Sequence, residues 1–156
     1  MAYDFQVVVD AGRPHELADW WAETLGWQVE PSDAAFIRRM IDAGLATEAD
    51  TTTHRGQLVW TGGAAIRHPD GPDSGRSRVL FQQVPEGKTV KNRLHLDIHA
   101  SGERTDPIET RRKRVDAEAS RLAGQGATIT GALSEEGLDH YAVGMKDPEG
   151  NEFDIN

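Results

Sequence analysis

The alternation of apolar and polar positions predicts a chain that begins with a strand and a helix. A short run rich in β-branched residues occupies Phe5–Val9, and in the following segment, Pro14–Leu25, every fourth residue is apolar, at Leu17, Trp21 and Leu25. Residues four apart lie on one face of a helix, and a proline is tolerated in the first helical turn. We therefore predict a strand over 5–9 and an amphipathic helix over 14–25.

The remainder of the first half contains a second helical pattern and several strand patterns. From Asp33 to about Ala43 the apolar residues form a stripe of helical spacing, which predicts an additional helix. Residues 46–56 have the composition of a loop, with three consecutive threonines at 51–53 and a glycine at 56. Apolar and β-branched runs then predict four strands, at 27–30, 57–60, 64–67 and 78–84.

The second half repeats the strand-then-helix order. Leu94, Leu96 and Ile98 alternate with polar residues, which predicts a strand with one apolar and one polar face. Asp106 and Pro107 mark the start of a helix. The basic run 111–114 is expected on its solvated face. Three further strands are predicted at 127–130, 140–145 and 152–155.

The two halves can be aligned as an internal repeat. Residues 5–7 align with 94–96, and residues 80–83 align with 152–155. This alignment predicts an α+β fold in one domain, with a first module at about 1–86, carrying the extra helix, and a second at about 92–156. It also places four polar side chains at equivalent points of two sheets: Gln6, Gln82, His95 and Asp154.

Composition narrows the classes of partner. The 156-residue chain has no cysteine, which excludes disulfides and thiolate ligands, and its formal net charge of -9 opposes binding to nucleic acid. No apolar run approaches the ~20 residues that cross a bilayer, and the N-terminal residues lack the pattern of a secretory leader. We therefore expect a soluble, cytoplasmic protein that binds neither nucleic acid nor membrane.

The segment Asp147–Asp154, with sequence DPEGNEFD, resembles the ending of proteins in the vicinal oxygen chelate superfamily, which includes glyoxalases, bleomycin resistance proteins and dioxygenases. The blocks 80–85 and 88–97 are similar to its glyoxalase-like branch. The resemblance implies two βαβββ modules that form a cup, and a homodimer. Metal-dependent members carry ligands on the first and last strand of each module, and the matching positions here are Gln6, Gln82, His95 and Asp154.

These four positions form a poor set of ligands for a tightly bound transition metal. They offer one imidazole, one carboxylate and two neutral amides, so we expect either no cofactor or a weakly bound divalent ion such as Mg²⁺ or Mn²⁺. Extradiol oxygenases need two histidines and a carboxylate, which disfavours that activity. His99 lies about 13 Å along the strand from His95 and cannot share its ion, whereas Asp97 is on the same face and could orient His95 or line the cup.

Three functions remain open from the sequence. The first is a metal-independent binding protein that holds a small organic molecule in the cup. The second is a metal-dependent lyase, isomerase or epimerase that acts through an enediolate. The third is an interaction domain whose cup is filled by side chains. The sequence identifies neither the ligand nor a catalytic residue; the predicted ligand-binding residues are Gln6, Trp60, Gln82, His95, Asp97 and Asp154.

Overall fold

A computed structural model describes residues 5–71, 75–134 and 137–156. The chain divides into two compact units, Met1–Gly87 and Lys88–Asn156. Each unit contains a four-stranded sheet and a long helix, which confirms the predicted α+β class and the strand-then-helix order of both halves. In the described part of the chain, no helix is both long and apolar enough to cross a membrane.

Apart from a strand at 51–54, the first unit follows the predicted order of elements. Its sheet has the strand order β1-β6-β5-β2, with β1 and β6 parallel and the other neighbours antiparallel. The elements are β1 (Val7–Ala11), α1 (Pro14–Leu25), β2 (Gln28–Val29), α2 (Ala34–Asp42), β3 (Thr51–His54), β4 (Gln57–Trp60), β5 (Gly63–Arg67) and β6 (Val79–Gln83).

Helix α1 packs on one face of this sheet because its apolar stripe is continuous. Leu17 and Trp21 are 2% and 4% exposed, and they share the core with the fully buried Phe81 and Ile66 of the sheet. The helix ends at Gly26, whose φ of 65° is the left-handed conformation that glycine adopts without steric cost. The other face of the sheet carries the polar residues of β1 and β6.

The segment 46–56, predicted as a loop, instead forms part of a β-hairpin. A 3₁₀ turn at Glu48–Asp50 leads into β3, which pairs with β4. Arg55 and Gly56 make the two-residue turn with φ values of 49° and 78°. Positive φ at both central residues matches the twist of a hairpin, although this turn usually carries Asn or Asp where Arg55 stands.

The second unit repeats the same topology without the helix and hairpin insertion. Its sheet has the order β7-β10-β9-β8, again first, last, third and second along the chain. A register shift between Ile129 and Gly131 places a β-bulge in the edge strand. The elements are β7 (Asp97–Ile98), α3 (Ile108–Gly124), β8 (Thr128–Leu133), β9 (Ala142–Lys146) and β10 (Glu152–Ile155).

The basic run on α3 does not lie wholly on a solvated face, contrary to the prediction. Arg111 is 6% exposed because it is four residues before the buried Val115 and belongs to the same stripe. Its guanidinium pairs with Asp139, and its Nε donates to the carbonyl oxygen of Asp106 at 3.0 Å. A buried charge needs such partners, so Arg111 fastens the loop before β9 to the helix.

Candidate functional site

Three side chains of the second unit converge on its open sheet face. His95, Asp97 and Asp154 each offer one ligand atom, and these atoms lie within 4.8 Å of one another. Among the described residues, this is the one group of three or more such side chains that could hold a metal ion. We call it the His-Asp-Asp cluster.

Strand pairing explains why the cluster forms. In the parallel pair β7 and β10, Asp97 lies directly opposite Asp154, and the Asp154 amide donates to the Leu96 carbonyl at 3.0 Å. Alternation along β10 turns Phe153 and Ile155 into the core, where they are 1% and 0% exposed. Asp154 is therefore directed to the opposite face, together with its neighbour Asp97.

The geometry of the cluster brings two carboxylates to one imidazole. The Nε2 atom of His95 lies 3.3 Å from Asp97 Oδ1 and 3.5 Å from Asp154 Oδ2. The other oxygen of Asp97 accepts from the side-chain amide of Asn156 at 3.2 Å, which helps to fix the carboxylate. The sequence-based set had one carboxylate, whereas the structure adds Asp97 and so doubles the negative charge beside the imidazole.

His99 is not part of the cluster, as its spacing predicted. Its Nδ1 atom lies 2.6 Å from the Oδ1 of Asn156, and the Nδ2 of the same side chain donates to Asp97. Asn156 therefore links His99 to Asp97 without bringing the second imidazole to the cluster. His99 follows His95 by four residues and lies outside the cluster, so it serves as a control for His95.

Glu152 lies on the same face of β10 as Asp154 but is already engaged. Its carboxylate accepts from the Asn92 amide at 3.0 Å and pairs with the Lys88 ammonium at 3.0 Å. These contacts lower the pKa of Glu152 from 4.5 to about 2, with the Asn92 hydrogen bond as the largest cause. The carboxylate anchors residues 88–92 to the sheet and is not free to act as a base.

The structure corrects the alignment of the first unit. Gln82 lies opposite Asp10 in the parallel pair β1 and β6, whereas Gln6 accepts from Arg78, four residues before Gln82. Four residues of strand span about 13 Å, so Gln6 and Gln82 are not brought together. The prediction that they are equivalent to the first-strand and last-strand residues of the second module is therefore wrong for Gln6.

Strand register gives the equivalent positions directly. Gln82 pairs with Asp10 and Gly63, and Asp154 pairs with Asp97 and Gly144. Val8 lies two residues before Asp10, and His95 lies two residues before Asp97. Val8 is therefore the residue of the first unit that is equivalent to His95. The triplet Val8-Val9-Asp10 resembles His95-Leu96-Asp97 in its third residue, and that shared aspartate was the signal in the sequence that could have set the register.

Trp60 lies in the two-stranded sheet of the first unit, outside the four-stranded sheet that carries Gln82. It pairs with Thr51, and its carbonyl oxygen is 2.8 Å from the Nε2 of His15. Its side chain is half-buried. The role of Trp60 in ligand binding stays a prediction.

A second polar cluster, in the first unit, has a structural role. Asp19 Oδ2 lies 2.7 Å from His54 Nε2 and 2.9 Å from Arg55 Nε. The His15 ring stacks on His54 at 5.1 Å. Both partners of Asp19 belong to the β3–β4 hairpin, so this carboxylate of α1 fastens the hairpin to the helix.

A cavity of about 400 Å³ in the second unit shares no residue with the His-Asp-Asp cluster. Its lining combines three apolar residues with a serine and one imidazole, so it lacks the convergent charged groups that mark a chemical site. The lining residues are Ala132, Leu133, Ser134, Leu138 and His140. We therefore place the candidate site at the cluster.

The donor set of the cluster suits an oxygen-preferring divalent ion. Carboxylate oxygens favour Mg²⁺ and Mn²⁺, and one imidazole is compatible with Mn²⁺. The three side chains are 51%, 43% and 26% exposed, so an ion here would retain several waters and bind weakly. A site that needs two histidines does not fit this donor set, which has one imidazole.

The chain and its fold were compared with known protein families and solved structures. The model of a family described as "Glyoxalase-like domain" matches residues 6–156. No curated protein matches the chain. Among solved structures, a glyoxalase/bleomycin resistance protein/dioxygenase family enzyme from Burkholderia phytofirmans PsJN aligns with TM-score 0.56 and 16% identity, over 97% of this chain and 94% of that one.

The fosfomycin resistance protein FosX from Listeria monocytogenes has the same fold. Its hexagonal form aligns with TM-score 0.58 and 6% identity, over 99% of this chain and 92% of that chain. A mutant of FosX, complexed with Mn(II) and 1S,2S-dihydroxypropylphosphonic acid, aligns with TM-score 0.58 and 7% identity, over 100% and 92%. At these identities the likeness shows the fold alone.

Proposed function

The chain belongs to the family of glyoxalase-like domains, and from that premise we propose that it binds a small organic molecule at a weakly held divalent cation. The single observation that carries the proposal is the His-Asp-Asp cluster, whose three ligand atoms lie within 4.8 Å of one another. His95, Asp97 and Asp154 would hold the ion. When bound, the ion would act as a Lewis acid toward an oxygen of the ligand.

Charge supports a cation at this position. Two carboxylates within 3.5 Å of one imidazole nitrogen repel each other unless a positive charge lies between them. Either a protonated imidazole or a divalent ion can supply that charge, and the ion supplies twice as much. The fixed orientation of Asp97 by Asn156 lowers the entropy lost when the ion binds.

A binding function accounts for the described residues better than enediolate chemistry does. An isomerase or lyase of that kind needs a base beside the polarised group, within hydrogen-bond reach of the proton it removes. Glu152, the other carboxylate of β10 on this face, is held by Lys88 and Asn92 and keeps its charge paired. With Asp154 holding the ion, the described residues of β10 therefore offer no free carboxylate for proton transfer.

Titration with Mn²⁺, followed by calorimetry or by the electron paramagnetic resonance of the free ion, tests the proposal. The native protein should bind one ion saturably. Asp97→Asn and Asp154→Asn should each lower the affinity at least about tenfold, because each removes one of two negative charges beside a divalent ion. His95→Ala should also lower the affinity, because it removes the nitrogen donor.

His99→Ala is the matched control, since it removes an imidazole that lies near the cluster without belonging to it. It should leave the Mn²⁺ affinity of the native protein unchanged. Equal losses in His95→Ala and His99→Ala, or the absence of saturable binding by the native protein, would show that the cluster is an ion-pair network and not a cation site.

A further inference from the structure

Lys146 is a half-buried lysine on the sheet face that carries the His-Asp-Asp cluster. It is the last residue of β9, and alternation along that strand turns Val143 and Met145 into the core, where both are buried. Lys146 is therefore directed to the opposite face, as Asp154 is on the neighbouring strand β10. The sheet thus places a positively charged side chain beside the candidate site.

Strand pairing sets how close this lysine lies to the cluster. In the antiparallel pair β9 and β10, Gly144 lies opposite Asp154, and Lys146 lies opposite Glu152. Lys146 is therefore the diagonal neighbour of Asp154 on one face of the sheet. The Cα atoms of such neighbours are about 7–8 Å apart, a separation that a long side chain can bridge. A group bound to an ion on Asp154 would lie within reach of the Lys146 ammonium.

The Lys146 ammonium has no counter-charge in the part of the chain that the structure describes. There, its side chain forms neither a hydrogen bond nor an ion pair. The carboxylate directly opposite, that of Glu152, is paired with the Lys88 ammonium at 3.0 Å and accepts from the Asn92 amide. A charged group that is partly withdrawn from water is stabilised by an opposite charge. An anionic ligand can supply that charge to Lys146.

The charges around the cluster favour a ligand with one negative charge. The two carboxylates of the cluster balance a bound divalent ion when the imidazole is a neutral ligand, and Lys88 balances Glu152. Of these neighbouring groups, Lys146 is then the one that is not balanced. An anion between the ion and the ammonium is attracted by both, whereas a neutral molecule of the same shape gains much less from the ammonium.

We propose that Lys146 binds the anionic group of the ligand, and that the ligand is a small carboxylate with one oxygen atom on the cation and another on the ammonium. The inference rests on the proposed cation-dependent binding and names its ligand class. An ammonium has three donors and no acceptor, so it suits a carboxylate oxygen. Because hydrogen bonds between charged groups are the strong ones, loss of this contact lowers the affinity about tenfold or more.

Glycolate and glycolamide are suitable probes, because they have the same number of heavy atoms and differ in charge. Each has one methylene proton signal, which the Mn²⁺ ion of the loaded protein broadens when the compound binds. NMR titration therefore gives both affinities, after the broadening by Mn²⁺ without protein is subtracted. Lys146→Met removes the ammonium and keeps a long side chain. It should lower the affinity for glycolate at least about tenfold more than the affinity for glycolamide.

Two further variants control for the replacement and for net charge. Lys146→Gln also removes the ammonium but keeps a polar head, and it should show the same selective loss of glycolate. Lys113→Met is the matched control, because it removes an exposed lysine of α3 and changes the net charge by the same amount. It should bind both compounds as the native protein does; an equal loss of glycolate in this variant would overturn the role of Lys146.

Mn²⁺ titration without an organic ligand separates the two proposals. Lys146→Met and Lys146→Gln should bind Mn²⁺ at least as tightly as the native protein, because each removes a positive charge beside the cation. Weaker Mn²⁺ binding by both variants would show that Lys146 supports the cluster itself and would overturn its ligand role.

The remaining outcomes concern glycolate and the native protein. If Mn²⁺-loaded native protein does not bind glycolate, or if the Lys146 variants lose glycolate and glycolamide equally or lose neither, the role of Lys146 is wrong and the cation site stands. If the native protein binds no Mn²⁺, the proposed function fails and this inference fails with it.

Discussion

Strand register predicts that the first unit can be converted into a second cation site. Asp10 already stands where Asp97 stands in the second unit, and Val8 and Gln82 occupy the positions of His95 and Asp154. The double substitution Val8→His with Gln82→Asp would restore the full donor set. All three positions lie on the exposed face, and Val8 is 46% exposed, so the substitutions disturb no core packing.

The magnitude follows from the added charge. Gln82→Asp places one more negative charge about 4 Å from a divalent ion, which in water-like surroundings is worth about 2 kcal/mol, or about thirtyfold in affinity. The imidazole added at Val8 completes a donor set equal to that of the second unit. The affinity of the new site should therefore approach that of the native cluster.

The assay uses a background in which His95→Ala and Asp154→Asn have removed the native cluster. Mn²⁺ titration of this background should show no saturable binding, and the double substitution should restore binding of one ion. The matched control places the histidine at Gln6 instead of Val8, as the repeat in the sequence suggested. The assignment of strand register is refuted if the variant with Gln6→His binds Mn²⁺ with the same affinity as the variant with Val8→His.

Further predictions concern stability and assembly. Since the pKa of Glu152 is lowered from 4.5 to about 2, its contacts with Asn92 and Lys88 stabilise the fold above about pH 4.5 and are lost as the pH falls toward 2. Thermal melts of the native protein and of Glu152→Gln should converge at the acid end; a constant difference between them would contradict this. Asp139→Asn should lower the free energy of unfolding by about 1–2 kcal/mol in urea titrations, because buried Arg111 loses its charged partner while Asp139 is itself half-exposed; no change would show that solvent replaces the pair. By light scattering at micromolar concentration, the protein should be a dimer.

The helices could be predicted from the sequence because their periodicity and end signals agree. Pro14–Leu25 matches α1 residue for residue, and the apolar stripe from Asp33 to about Ala43 predicted α2 within one residue at each end. The hydrophobic pattern could not predict the burial of Arg111. An arginine in a helix is normally expected on the solvated face, and only its tertiary pairing with Asp139 makes its burial possible.

Strand boundaries were harder to predict, and errors in them changed which residues were assigned to the site. The apolar run Phe5–Val9 suggested a strand that ends before Asp10, but β1 starts at Val7 and continues to the buried Ala11. That shift of two residues is why Gln6 was chosen in place of Val8. A strand's register depends on its partner, which a local pattern does not contain.

The convergence of the three cluster side chains was predicted only in part. Asp97 was expected to share a face with His95, but its contact with both His95 and Asp154 depends on the parallel pairing of β7 with β10. The hairpin at 51–60 was missed because Arg55 is an unusual residue for its turn. Likewise, the bulge at Thr130 has no signal of its own beyond the glycine that follows it.

The same strand order recurs in both units, with a glycine opposite Gln82 in one and opposite Asp154 in the other. All three side chains of the His-Asp-Asp cluster belong to the second unit. Substitutions at Val8 and Gln82 therefore leave the charges of the cluster unchanged, so the polar face of the first sheet can be varied independently of them.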